Sequence, residues 1–157
     1  MTRHLILTAA TVVAAATGRP GDACDWVPFA ANPWVEPGTA ADASSWTGID
    51  TPAGRHGRVV VRGDHFEFEG LPNVPQRFLG ANVILDAVTP KTADDARAFA
   101  RLLRRLGWNA VRIHQHEQDL VGADGFSLDP AKMRRFDAFV AACIAEGLYL
   151  QTDLYVT

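Results

Sequence analysis

Polar side chains that could do chemistry lie at or just after the ends of apolar segments: Asn82, Arg112, His114 and Tyr155. The planar fork of an arginine fits a carboxylate and keeps it ionised. An imidazole and a phenol can each donate or accept a hydrogen bond, which suits a ligand rich in hydroxyl groups. Asn82 can orient such a site or satisfy a loop backbone, and both interpretations remain open.

Two carboxylates lie close to these residues in the sequence. Glu117 follows His114 by three residues, and Asp153 precedes Tyr155 by two. We expect a salt bridge within the loop for Glu117 and a structural hydrogen bond for Asp153. Neither is assigned a catalytic role.

Alternating strands and helices in the second half of the chain must position these side chains. Apolar runs at 77–82, 109–114 and 148–155 predict buried strands. Helices are predicted between them, one starting at Thr92 and one at Asp129, with Gly107 and Gly147 just past their ends. Because buried strands joined by helices pair in parallel, the sequence predicts an α/β fold in which a parallel barrel begins but does not close.

The region before these strands has a different character. Residues 24–57 are rich in proline and glycine, and we expect them to wrap over the domain with Trp26, Trp34 and Trp46 packed against it. Residues 58–62 and 65–69 predict a β-hairpin that ends at Gly70 and Pro72. Alternation predicts a buried face with Phe66 and Phe68 and a solvated face with His65, Glu67 and Glu69.

The first 23 residues predict export. A basic start precedes an apolar stretch too short to span a bilayer, which is typical of a secretory signal peptide and of a secreted or periplasmic protein. A buried first helix and a retained membrane anchor are the alternatives. Lipid anchoring through Cys24 is a minor alternative, because the usual bulky apolar residue is missing three positions before it. Cys143 is expected in the core, and a disulfide between the two cysteines stays open.

The charge of the chain bears on its partners. A net charge of −3, an isoelectric point near 5.9 and the absence of basic runs give no electrostatic signal for nucleic acid or an anionic membrane. The expected partner is a neutral small molecule or polymer.

Three segments together resemble a known enzyme family. Residues 78–82 (FLGAN), 106–113 (LGWNAVRI) and 147–154 (GLYLQTDL) are similar to the first three strand regions of clan A glycoside hydrolases, specifically the cellulase and mannanase-like family 5. The resemblance covers about Ser44 to Val156. It implies that residues 58–157 are the hairpin and the first part, about three strands, of a (β/α)8 TIM barrel, acting on β-linked polysaccharide without a cofactor or metal and monomeric at full length.

The resemblance also implies roles for individual residues. Arg112 matches the arginine that hydrogen-bonds the nucleophilic carboxylate, while Asn82, His114 and Tyr155 would line the substrate cleft. His114 replaces the usual proline, and Tyr155 replaces the usual histidine of the third strand. The two catalytic glutamates of this retaining mechanism belong to the fourth and seventh strands, so we expect both beyond Thr157 and the chain alone to be inactive.

Two alternatives come from other functional classes. His114 and His116 are separated by one residue at a strand end, so alternation would place both on one side, as in metal-dependent barrel enzymes of the amidohydrolase type. Against this, such a pair normally belongs to the first strand, and the segment at 77–82 comes earlier. The other alternative is a non-catalytic carbohydrate-binding protein or a pseudogene fragment.

Overall fold

A three-stranded parallel sheet forms the centre of residues 34–153, which are the residues that the computed structural model describes, the side chain of Leu85 excepted. Its strands are β4 (Gly80–Ile84), β5 (Ala110–His114) and β6 (Tyr149–Thr152), in that order. The register places Arg112 beside Asn82 on one side and Gln151 on the other. The prediction of successive parallel strands is confirmed, although each strand is shorter than its apolar run.

Two helices connect these strands. Helix α1 (Ala93–Arg105) begins with a capping box in which Thr92 and Asp95 each bond the other's backbone N–H. Helix α3 (Pro130–Ala145) begins where Asp129 accepts hydrogen bonds from the backbone of Ala131 and Lys132, at 2.7 and 3.1 Å. Both predicted starts are therefore confirmed. A 3₁₀ turn (Leu85–Val88) and a short helix α2 (Glu117–Leu120) were not predicted.

The hydrophobic core lies between the two helices and one face of the sheet. Val111 and Ile113 of β5 and Phe139 and Cys143 of α3 are completely buried there. Cys143 is buried, as expected of a core residue, and has no disulfide partner within residues 34–153; burial raises the pKa of its thiol to about 12. Cys24 and the predicted signal peptide lie outside the described residues, so the disulfide question stays open. No helix within residues 34–153 is both long enough and apolar enough to cross a membrane.

A second, antiparallel sheet contains β1 (Val59–Arg62), β2 (His65–Phe68) and β3 (Leu71–Gln76). The hairpin and its end at Gly70 are confirmed, since β2 stops at Phe68, but Pro72 lies within a third strand that was not predicted. Proline is tolerated there since no strand within residues 34–153 pairs with the outer side of β3. Residues 34–153 thus form a mixed α/β fold with two small sheets and three α-helices.

The predicted faces of the hairpin are only partly correct. Phe68 is buried, but Phe66 is 47% exposed, and Glu67 on the predicted solvated face is only 5% exposed. Glu67 tolerates burial because its Oε1 lies 2.9 Å from His65 Nε2. The hydrogen bond from His65, with one from the Asn73 backbone, lowers the pKa of the Glu67 carboxyl.

Aromatic rings join the two sheets. Phe68 of β2 stacks on Tyr149 at the start of β6 with centroids 5.2 Å apart, and Phe78 meets Tyr149 edge-on at 5.4 Å. The hairpin sheet therefore packs at the amino-terminal end of the parallel strands, which leaves their carboxyl ends to the connecting loops.

The segment before the hairpin also lies at the amino-terminal end of the parallel strands. The backbone N–H of Ala43 donates to Arg105 and that of Ala53 donates to Ile144, both over 2.8 Å, so residues 34–57 cover the last turns of α1 and α3. The described part of the predicted wrapping segment, residues 34–57, is irregular and lies on these helix ends. The expectation that its tryptophans pack is met only in part, because Trp34 is half-buried while Trp46 is 77% exposed, and Trp26 lies outside the described residues.

Helix α1 carries one buried charge that its sequence pattern did not predict. Arg104 is 9% exposed, whereas the apolar Leu106, just after the helix, is 49% exposed. Arg104 Nη2 donates to the Ile49 carbonyl over 2.6 Å, and its Nη1 is buried without a partner among the described residues. The wrapping segment therefore covers this guanidinium, and desolvation lowers the pKa of Arg104.

We predict unequal effects for two arginines of α1. Arg104→Ala should lower the free energy of unfolding by about 2 to 4 kcal/mol, since a charged hydrogen bond and buried methylene groups are lost together. Arg101→Ala removes only a half-exposed ion pair to Glu146 and should cost less than about 1 kcal/mol. Urea denaturation measures both. Equal losses would show that the wrapping segment does not rest on Arg104.

We predict that Gly147→Ala lowers the free energy of unfolding, because the wrapping segment lies close to this residue. Gly147 has φ +79°, and an added Cβ would lie 3.1 Å from Thr51 Cγ2 and 3.2 Å from the Asp50 carbonyl oxygen. Gly38 has φ +73° with open space around it. Gly38→Ala should cost about 1 to 2 kcal/mol from its backbone conformation alone. Gly147→Ala should cost roughly 1 kcal/mol more in urea denaturation, and losses of the same size would contradict the packing.

Candidate functional site

The second face of the parallel sheet carries a row of hydrogen-bonding side chains. Because side chains alternate along a strand, Asn82, Arg112 and Gln151 point away from the core, and the register places them side by side. All three are exposed. This face is called the open face below, and it contrasts with the helix-covered face, where Val111 and Ile113 are fully buried.

A buried asparagine fixes the register of this row. Asn109, only 2% exposed, accepts a hydrogen bond from the Leu79 N–H over 2.6 Å and donates to the Arg77 carbonyl over 2.8 Å. These bonds tie the start of β4 to the start of β5. Asn82 and Arg112 are therefore held on adjacent strands at the same height.

At the carboxyl ends of β5 and β6, the carboxylate of Asp153 contacts the side chains of Arg112 and His114. Asp153 Oδ2 lies 2.7 Å from Arg112 Nη2, and Asp153 Oδ1 accepts from Arg112 Nε over 3.2 Å. His114 Nδ1 also bonds Asp153 Oδ2. The side chains of Asp153, His114 and Arg112 are 13%, 17% and 45% exposed, so the cluster runs from a protected carboxylate to a more open guanidinium.

The charges of this cluster support one another. The hydrogen bond from His114 is the main cause that lowers the pKa of the Asp153 carboxyl, and Arg112 lowers it further, while partial burial acts in the opposite direction. Asp153 is therefore ionised at neutral pH and balances the positive charge of Arg112. The bidentate contact also fixes the plane of the guanidinium.

The structure brings together three of the four predicted site residues. Asn82, Arg112 and His114 all lie on the open face, within the register of β4 and β5. Tyr155 lies outside the described residues. The structural hydrogen bond expected for Asp153 is present, but its two partners, Arg112 and His114, were not predicted.

The expectation for Glu117 is wrong. No salt bridge to Glu117 is found within residues 34–153, and its Oε1 is buried without a hydrogen-bond partner there. The short helix α2 starts at this residue, which turns the side chain into the loop instead of along its surface.

The two histidines do not act as a pair on one side. Gln115 between them has a left-handed backbone with φ 52°, which breaks the alternation that the sequence predicted. His114 bonds Asp153 on the open face, whereas the ring of His116 stacks on Phe136 of α3 with centroids 5.5 Å apart. Within residues 34–153 no three histidine, cysteine, aspartate or glutamate side chains are grouped to hold a metal ion.

The sequence contains a signal for the Asp153 cluster in the spacing of its residues. Arg112 and His114 lie two residues apart, as do Gln151 and Asp153, so each pair shares a strand face. Once Arg112 is placed opposite Gln151, His114 must lie next to Asp153. The cluster could not be predicted from residue types alone, because the register between β5 and β6 is needed to place His114 next to Asp153.

Comparisons with known proteins give no further constraint. No protein-family model matches the chain, and searches of characterised proteins and of solved structures found no match.

We predict that Asp153 stabilises the fold only while it is ionised. Its pKa in the folded chain lies below the unfolded value near 3.8, so its contribution is fully present above about pH 4 and is lost as the pH falls through the lowered folded pKa. Asp153→Asn should therefore lower the midpoint of urea denaturation at neutral pH, and the difference from the parent should shrink under acid conditions.

The His114→Gln background is the control for this measurement. It removes the main cause of the lowered pKa, so the effect of Asp153→Asn should be smaller there. A difference between Asp153→Asn and parent that stays constant from neutral to acid pH would contradict an ionised Asp153 cluster.

Proposed function

We propose that this chain is the N-terminal part of a secreted (β/α)8 glycoside hydrolase, similar to the cellulase and mannanase-like family 5, that cleaves β-linked polysaccharide. One observation carries the proposal. The exposed row of Asn82, Arg112 and Gln151 crosses the middle of three parallel strands and leads to the Arg112–Asp153–His114 cluster at the carboxyl ends of β5 and β6. Barrel enzymes build their sites at that end of their strands.

The charge balance of the cluster favours an uncharged ligand. Arg112 already has a bidentate carboxylate partner in Asp153, so its positive charge is compensated before any ligand binds. A polysaccharide of neutral sugars needs only hydrogen bonds, and the amides of Asn82 and Gln151 can each donate and accept them.

Arg112 also keeps donors for the role that the family resemblance implies. A guanidinium has five N–H groups, and Asp153 engages one on Nε and one on Nη2. The remaining donors belong to a side chain that is 45% exposed. They are available to a second carboxylate, which in this proposal is the nucleophilic glutamate of a later strand.

The mechanism is retaining hydrolysis. It requires two carboxylates roughly 5 Å apart, one as general acid and one as nucleophile. In the proposed enzyme both are glutamates beyond Thr157. Arg112 holds the nucleophile ionised, and Asn82, His114 and Tyr155 shape the sugar cleft. The reaction requires no cofactor.

We predict that the source DNA continues in frame past the Thr157 codon and encodes a glutamate at the ends of two later strands. The encoded protein should release reducing sugar from soluble β-glucan or β-mannan, and NMR of the first product should show retention of the anomeric configuration. A stop codon directly after Thr157 would contradict the proposal and favour a non-catalytic carbohydrate-binding product or a pseudogene.

In that full-length enzyme, Arg112→Met should lower kcat roughly 100-fold or more, because the nucleophile loses its positioning partner. Arg101→Met is the matched control, since Arg101 lies on α1 and pairs with Glu146 away from the open face. Loss of activity in both variants, or in neither, would argue against a role of Arg112 in the site.

A further inference from the structure

The two ring nitrogens of His114 have different environments. Nδ1 bonds the Asp153 carboxylate, while no hydrogen bond to Nε2 is found within the described residues. An ionised carboxylate can only accept hydrogen bonds, so Nδ1 must carry the proton in this contact. In the neutral ring, Nε2 is then an acceptor with a free lone pair.

We propose that Asp153 is a positioning residue that locks His114 in the tautomer protonated on Nδ1, so that Nε2 accepts a hydrogen bond from a hydroxyl group of a neutral sugar. Arg112, two residues earlier on the same strand face, donates to a neighbouring oxygen of the same ligand. The sugar as ligand rests on the proposed function, whereas the locked tautomer rests on the geometry alone.

The surroundings of His114 fit this role. On the β4 side its register partner is Ile84, which is 40% exposed and offers no competing hydrogen-bond group. On the β6 side the neighbour is Asp153 itself. The His114 side chain is 17% exposed, so it is held in place and remains accessible from the open face.

The pairing of an acceptor with a donor gives selectivity between classes of sugar. A hydroxyl group can donate to Nε2 and accept from Arg112, so adjacent hydroxyls satisfy both residues. A carboxylate can satisfy Arg112 but has no proton for Nε2, and it would add a second negative charge near Asp153. The cluster should therefore prefer neutral hexosides to uronic acids.

The test is imidazole NMR on the ¹⁵N-labelled 157-residue chain at about pH 8.5, where histidine is neutral. In the parent chain, His114 should show the Nδ1-protonated tautomer, although Nε2-protonated histidine is the commoner form in water. In Asp153→Asn the population should shift toward the Nε2-protonated form. His116 is the internal control, because its ring stacks on Phe136 and does not contact Asp153.

A His114 that is Nε2-protonated in the parent overturns the proposal, and so does a tautomer that Asp153→Asn leaves unchanged. The parent spectrum decides the first point even if the variant fails to fold.

The ligand is tested with cellotetraose, mannotetraose and tetragalacturonic acid as probes. A neutral tetrasaccharide should move the His114 Nε2 resonance, and the uronic acid should move it less or not at all. The same or a larger shift with the uronic acid, or no shift with any probe, overturns the assignment of the ligand. Because hydrolysis is not measured, this result is independent of whether the full-length protein is an enzyme.

Discussion

The parallel pairing of β4, β5 and β6 is the constraint on which the other features depend. Parallel strands cannot be joined by a tight turn, so each connection must run back along the sheet, and α1 and α3 do so here. Both helices pack on one face, where Val111, Ile113 and Phe139 lose all contact with water. Burial of this kind contributes roughly 25 cal/mol for each Å² of apolar surface. The two helices leave the other face uncovered, and Asn82, Arg112 and Gln151 are exposed on it.

Because the strands are parallel, the two ends of the sheet differ in their packing and in their exposure. At the amino-terminal end, backbone approaches backbone closely, and Gly107 would meet Ala43 at 3.2 Å if it carried a Cβ. Asn109 and the ring pair of Phe68 and Tyr149 add fixed contacts there. At the carboxyl end the side chains are longer, charged and partly exposed. The amino-terminal end of the sheet is thus closely packed, whereas hydrogen-bonding groups at the carboxyl end remain accessible.

Features that depend on neighbouring residues could be predicted from the sequence, whereas contacts between residues far apart in the chain could not. The capping by Thr92 and by Asp129 depends on residues within three positions, so both helix starts were predicted. The burial of Arg104 depends on the Ile49 carbonyl, 55 residues away, which no pattern within α1 reveals.

The site divides in the same way. Asn82, Arg112 and His114 were named as site residues from the sequence, whereas the contact of His114 with Asp153 spans 39 residues and needs the strand register. The pairing of His114 with His116 failed for a local reason, because the left-handed backbone of Gln115 interrupts the strand. That conformation is uncommon outside glycine, and a glutamine gives little indication of it.

In the proposed enzyme, the Asp153 cluster accounts for one departure from the resembled family. His114 stands at the end of the second strand, where proline is usual in that family. An imidazole at the new position needs a partner to orient it, and Asp153 at the end of β6 lies within reach. Asp153 is the least exposed member of the cluster, so its buried carboxylate depends on the hydrogen bonds from His114 and Arg112. Within the proposed enzyme, His114, Asp153 and Arg112 therefore form one unit, in which the carboxylate sets the orientation of both the imidazole and the guanidinium.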